Sequence, residues 1–294
     1  MDTHLVELIR QQSSPLEPIS PESRPDDRIG INKVRAVLFD VYGTLFISGS
    51  GDISLASQID GESHMRSALN RFGARPTSRE FTYQKHFLDV IHTTRTSMID
   101  AGIPYPEVDL RELWESWIAN LVRDNRLTVD AEEVDTRAIA IAYECAVNPV
   151  WPMPGARDIL HFFKDRGIRL GIVSNAQFFT PLLFKALLGL SVEEFGFETS
   201  LCAWSYEKQI GKPEPALYRD PIHQLEQDGI QKSEILMVGN DMLNDVFAAH
   251  QCGIQTALFT GDGRSLRLRN DHQGCQSMEP NHVISELCQL GETS

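Results

Sequence analysis

At 294 residues, with 41% hydrophobic and 23% charged, the chain has an ordinary globular composition and room for a sizeable core. Its formal net charge of −14 argues against a nucleic-acid surface, so an anionic substrate would have to be attracted locally, by a metal ion, a lysine or arginine, or a helix N-terminus. No apolar run reaches membrane-spanning length, the first residues lack a signal core, and the five cysteines contain no C-x-x-C pair; a cytoplasmic address with reduced thiols and no zinc site is expected.

Residues 1–33 are polar and dotted with Pro15, Pro18, Pro21 and Pro25, and read as a tail. Leu5, Val6, Leu8 and Ile9 could form one short amphipathic turn docked on the body. Val34 to Phe46 (VRAVLFDVYGTLF) is different: a continuous apolar run of strand length enters Asp40 and is broken by Gly43 and Thr44. Such a run predicts a strand buried on both faces of a sheet. Ligands of open α/β sheets sit outside the carboxyl ends of the strands, which makes Asp40 more than an acid that starts a turn. Ser48 to Gly51 then reads as a flexible connection.

From about residue 62 to 147 the apolar spacing is helical. Met65, Ala68, Leu69 and Phe72 share one face, as do Leu110, Leu113, Trp114, Trp117 and Leu121, and again Val134, Ala138, Ile141, Ala142 and Cys145. Ser78 to Ile99 is a weaker fourth helix, and no strand is expected in the region. Trp114 and Trp117 read as core of this bundle, with pocket lining as the alternative. The bundle is assigned to residues 51–149, with hinges at Gly51 and Pro149 to Gly155.

Beyond it, a helix runs to Arg166 and ends at Gly167, and Leu170 to Val173 forms a strand that delivers Ser174 and Asn175. A helix from Thr180 to Leu188, a short strand at Phe197 to Leu201, a Gly211-Lys212-Pro213 loop and a helix over Pro215 to Leu225 follow. Ile235 to Val238 is a strand leading to Asp241 and Asp245, Leu243 to Gln251 a helix, Thr256 to Phe259 a strand, and Val283 to Leu290 a short strand or turn with a terminal helix. Strands alternating with helices predict an α/β fold with a doubly wound parallel sheet, built from residues 34–50 and 150–294, into which the helical bundle is inserted.

The strand-end residues carry compatible chemistry. Asp40 can act as a nucleophile through a covalent aspartyl intermediate. Ser174 and Asn175 can bind an oxygen of a transferring group, or simply form a turn. Lys212, fixed between Gly and Pro, can neutralise Asp40 and the substrate, although a loop lysine usually faces solvent. Asp241 and Asp245 lie one helical turn apart, so with Asp40 they could build an oxygen-rich Mg²⁺ site; the alternative is acids that favour a helix N-terminus. Arg264, Arg267 and Arg269 leave the sheet at its active edge and could contact a phosphate or a cap loop; a solvated basic patch is the preferred reading.

Asp40, Ser174-Asn175, Gly211-Lys212-Pro213 and Gly239-Asn240-Asp241 to Asp245, in that order, resemble the motifs of the haloacid dehalogenase-like hydrolases, and the resemblance covers residues 34 to about 290. It implies a nucleophile at Asp40, substrate contacts from Ser174, Asn175 and Lys212, and a helical cap that selects substrate. It also implies Mg²⁺ held by Asp40, the Tyr42 carbonyl, Asp241 and Asp245. The chain departs from the pattern twice. Tyr42 stands where the family's phosphatases carry a second, proton-transferring Asp, and Asn240 stands where Asp usually follows the Gly, which leaves open whether Asn240 or Asp241 meets the metal. Asp-x-Tyr-Gly-Thr is typical of the 2-haloacid dehalogenases, which need no metal. Against them stand the pair Asp241 and Asp245 and the absence of arginine from Ile47 to Gly61; the later Arg66, Arg71 and Arg95 carry no mark of a site. The expected activity is a Mg²⁺-dependent phosphatase for a small anionic metabolite. The alternatives are metal-independent dehalogenation and a binding protein on a degenerate hydrolase fold.

Overall fold

The computed structural model describes residues 2–28, 33–50, 61–130 and 134–291. Its centre is a parallel sheet made of β1 (Ala36–Phe39), β6 (Arg169–Ser174), β7 (Phe197–Trp204), β8 (Ile235–Gly239), β9 (Gln255–Phe259) and β10 (His282–Ile284), in the order β10-β9-β8-β1-β6-β7. The apolar run of β1 has no exposed face because helices cover both sides. Val37 and Phe39 join one core, with α6 (Ala156–Asp165) and α7 (Thr180–Leu183), while Ala36 and Leu38 join the other, under α9 (Ala216–Gln227) and α10 (Ala248–Gln251). The order places β6 and β8 on either side of β1. Their carboxyl ends therefore deliver Asp40, Ser174 and Asn240 to one edge.

The helices expected over Thr180 to Leu188 and Leu243 to Gln251 are present but partly π-helical, and one strand runs past its expected end. α7 continues through π-helical turns at Phe184–Leu188 and ends at Gly189, whose φ of +88° suits glycine. α10 is likewise preceded by π-helical Met242–Phe247. β7 extends three residues past Leu201, to Trp204. Short helices α8 (Ser205–Lys208) and α11 (Gln273–Gln276) complete this part. No described helix is long and apolar enough to cross a membrane.

Between β2 (Phe46–Ser48) and β5 (Val150–Pro152) lie α2 (Gly61–Arg71), β3 (Ala74–Pro76), α3 (Tyr83–Asp100), α4 (Leu110–Arg123), β4 (Leu127–Val129) and α5 (Thr136–Val147). The four helices are those predicted from spacing. β3 and β4 correct the expectation of no strand here: they pair antiparallel, and three residues each are too few to show alternation. Trp114 and Trp117 are buried against Phe87, as expected for bundle core. The connections are more ordered than predicted. β2 pairs with β5 in an antiparallel ribbon, and Asn148 Oδ1 accepts hydrogen bonds from Ser48 Oγ, Ser50 N and Ser50 Oγ. Gly51, the other expected hinge, lies outside the described residues.

The N-terminal segment is not a loose tail. α1 (Thr3–Gln12) buries Leu5, Leu8 and Ile9, packing on α5 and on the 180–188 helix, so it spans insertion and sheet layer together. Downstream, Ile19 N donates to Asp262, and Arg28 exchanges backbone hydrogen bonds with Val283.

Candidate active site

Asp40 leaves the central strand with its amide donating to Val238 O at 2.9 Å. Its Oδ1 accepts from Ser174 Oγ at 3.0 Å and from Lys212 Nζ at 2.6 Å. Asn175 sets the lysine loop: its Oδ1 accepts from Lys212 N at 2.7 Å. Lys212 Nζ also reaches Asp245 Oδ1 at 2.6 Å, so one buried ammonium is shared by two buried carboxylates. Burial alone would lower the lysine, but Asp245 and Asp40 outweigh it and hold the ammonium above its ordinary range. Asp245 is pushed up to about 7, first by burial and then by the charges of Asp40 and Asp241, against the pull of Lys212. Gly239 permits this approach, because a Cβ there would lie 2.2 Å from the Asp245 carboxyl carbon.

Asp241 and Asn240 have other partners. Asp241 caps the π-helical turn, accepting from Leu243 N at 2.8 Å and Asn244 N at 3.2 Å, and it pairs with Arg269 at 2.6 Å. Asn240 Oδ1 accepts from Thr44 Oγ1 at 3.1 Å and its Nδ2 donates to Ser265 O at 2.5 Å, tying the turn after β1 to the 262–267 loop. Gly43, at φ +82°, belongs to the same contact: a Cβ there would meet Asn240 Nδ2 at 2.6 Å. The Tyr42 hydroxyl lies 2.9 Å from Thr180 Oγ1, and burial keeps it a phenol far above the ordinary tyrosine range.

The expectation of a solvated basic patch is corrected. Arg267 and Arg269 line the cavity above Asp40, and Arg264 donates to Glu17 O and faces Asp262. Sequence spacing gave no sign of this, because the signal is a carboxylate, Asp241, on a different loop. Arg66 is held by Glu62 and backbone carbonyls away from the site, whereas Arg95 borders the cavity, paired with Glu107 at 2.7 Å.

That cavity, of about 610 Å³, separates the strand ends from the helical insertion. The insertion is docked over it by direct bonds. Gln177 Nε2 donates to Val108 O at 2.8 Å and Gln177 Oε1 accepts from Leu110 N at 3.0 Å, while Gly211 N, beside the lysine, donates to Tyr105 O at 2.7 Å. Gln177 carried no sequence signal; its role depends on what folds over it.

The acids expected to hold a divalent ion are already engaged. Both oxygens of Asp245 accept N–H groups, from Lys212 and from Asp241 N, and those of Asp241 serve Arg269 and the helix amides. Among the described residues, no three acid, histidine or cysteine side chains are disposed to hold a metal. The acids thus fit a pair of internal cations better than a resident Mg²⁺.

Comparison with known proteins agrees with this geometry at the level of family. The profile "Hydrolase: haloacid dehalogenase-like hydrolase" matches residues 34–253. The chain is 24% identical over 157 residues to the ribulose-1,5-bisphosphate 5-phosphatase of Halopiger xanaduensis, covering 53% of this chain and 62% of that protein, less than two thirds of its length. It is 23% identical over 205 residues to the glyceraldehyde 3-phosphate phosphatase of Methanothermobacter thermautotrophicus, covering 66% of this chain and 86% of that one. A 2-haloacid dehalogenase from Pseudomonas syringae pv. Tomato superposes with a TM-score of 0.56 over 88% of this chain and 97% of its own, at 20% identity, a likeness of fold alone. Because the family match runs through Asp40, Ser174, Lys212 and Asp245 and takes in well over half of the sequence, the chain belongs to the haloacid dehalogenase-like hydrolases.

Proposed function

We propose that the protein is a phosphohydrolase in which Asp40 attacks the phosphorus of a small anionic monoester, expelling its alcohol, and water then hydrolyses the aspartyl phosphate to inorganic phosphate and the free Asp40 carboxylate. The observation that carries this reading is the setting of Asp40. Its Oδ1 is fixed by Ser174 and Lys212, and Oδ2 takes no hydrogen bond among the described residues, as a positioned nucleophile requires. Lys212 would meet charge on the transferring group, and Asn175 keeps its loop in place. The two relatives described above are both named phosphatases, which supports the same chemistry. We take residues 51–149 as the cap and 34–50 with 150–294 as the catalytic unit.

Magnesium dependence, expected from the motif acids, is not supported by their partners. Around the cavity floor, Lys212 is shared by Asp40 and Asp245, and Arg269 pairs with Asp241. Tyr42 offers no carboxyl to protonate a leaving group, so leaving groups that depart as stable anions, such as aryl and acyl phosphates, are favoured.

The test is hydrolysis of p-nitrophenyl phosphate in Mg²⁺ and in EDTA, by the wild type and Asp40→Asn. Replacement should lower turnover by about a thousandfold or more. Turnover that survives in the variant would overturn the reading, and the EDTA arm decides the metal. A second reading, carbon–halogen hydrolysis by the same Asp40, is favoured by Tyr42 and by the engaged acids. It predicts EDTA-resistant halide release from 2-chloropropionate.

A further inference from the structure

The cavity above Asp40 has two unlike ends. Its floor is ionic, made by Asp40, Lys212 and Asp245. Its roof draws on three helices and carries an apolar strip, Phe87, Leu88 and Ile91 from α3, Trp114 from α4, and Tyr143 and Val147 from α5, edged by the polar Gln84, His92 and Glu144. The rings form a packed shelf, with Phe87 and Trp114 at 4.2 Å and Trp114 and Tyr143 at 6.0 Å between centroids. Leu88 is 39% exposed and Ile91 half-buried, so the shelf ends in aliphatic surface that an occupant could cover. The roof's arginine, Arg95, is already paired with Glu107, so this wall offers no second anion site comparable to the floor.

We propose that the site takes phosphate monoesters of bulky apolar or aromatic alcohols, with the phosphate on the floor and the apolar group against the α3–α4–α5 shelf. A volume of about 610 Å³ suits a ligand much larger than a triose phosphate. Leu88 and Ile91 themselves offer the hydroxyls of a sugar phosphate no partner. This rests on the phosphohydrolase reading for the head group, but not for the shelf. It also differs from leaving-group chemistry, since the shelf selects by shape and apolarity.

The experiment compares para-tert-butylphenyl phosphate with phenyl phosphate, whose phenols are nearly equal in acidity, so that the ratio reads the wall. The wild type should favour the tert-butyl ester by about tenfold or more in kcat/KM, with glyceraldehyde 3-phosphate below both. In Leu88→Gln/Ile91→Gln, which alters the exposed end of the shelf and spares its buried rings, the ratio should fall towards one. A wild-type ratio near one, or preference for the sugar phosphate, overturns the proposal. A protein that cleaves no phosphate ester sinks the phosphohydrolase reading, and calorimetry with the free phenols then decides the shelf. Binding of para-tert-butylphenol about tenfold tighter than phenol, weakened in the double variant, upholds it, whereas equal or absent binding overturns it.

Discussion

Tyr42 occupies the strand end where a second acid would stand, and its hydroxyl is turned to Thr180. Glu144 of α5 borders both the main cavity and a small pocket shared with Tyr42 and Ile9. Burial pushes Glu144 from 4.5 up to about 7, and its side-chain partner among the described residues, Asn148 Nδ2, is distant at 3.4 Å. A carboxyl with a raised folded pKa holds an extra proton in the folded state between those two values. Stability therefore falls as pH rises through that window, and the full penalty applies above about 7. Glu144→Gln removes the ionisation. The variant should match the wild type near the lower end of the window and exceed it by on the order of 2 kcal/mol at about pH 8. Urea unfolding across this range checks it; parallel curves for the two proteins would assign the titration elsewhere.

Among the elements, α1 has consequences out of proportion to its ten residues. It lies on α5 and on the 180–188 helix at once, with Arg137 bonded to Asp2 at 2.9 Å and His4 to Asp135 at 3.0 Å. Those surface pairs contribute little, and the buried Leu5, Leu8 and Ile9 supply the attachment. Leu5 is fully buried, so Leu5→Ala should destabilise the protein by about 3 kcal/mol, measured by denaturant unfolding. A change under about 0.5 kcal/mol would mean that α1 is not docked in solution. The bonds of Gln177 to Val108 and Leu110 are the corresponding ties on the cavity side.

For the whole molecule, the formal charge of −14 opposes the approach of any phosphate ester, while Lys212, Arg267 and Arg269 place positive charge at the cavity itself. Salt screens the long-range repulsion more than it screens enclosed ion pairs: the Debye length shrinks from about 30 Å at 0.01 M to about 8 Å at 0.15 M ionic strength. The KM for an aryl phosphate should therefore fall by a few fold over that range. A KM that rises would show that the cavity cations govern encounter, and that the surface charge is of no account.

The strands and helices were largely legible in the sequence, because their signals are local: a continuous apolar run at Ala36–Phe39, helical spacing through Trp114 and Trp117, and glycines such as Gly167 at element ends. Asp40 and Ser174 meet because β1 and β6 are parallel neighbours whose carboxyl ends share an edge, and Lys212 reaches them from the loop after α8; that strand order was set by tertiary pairing, and the sequence showed only that a parallel sheet would form. What the sequence could not assign was the partner of each charge. Asp241 finds Arg269 twenty-eight residues further on, Gln177 finds a loop of the insertion, and Leu5 finds α5, all through chain crossings that no local pattern encodes. Residue type and spacing determined which groups could do chemistry at the sheet edge. Tertiary packing decided which of them were left available for it, because a buried carboxylate takes whatever donor the fold brings within 3 Å.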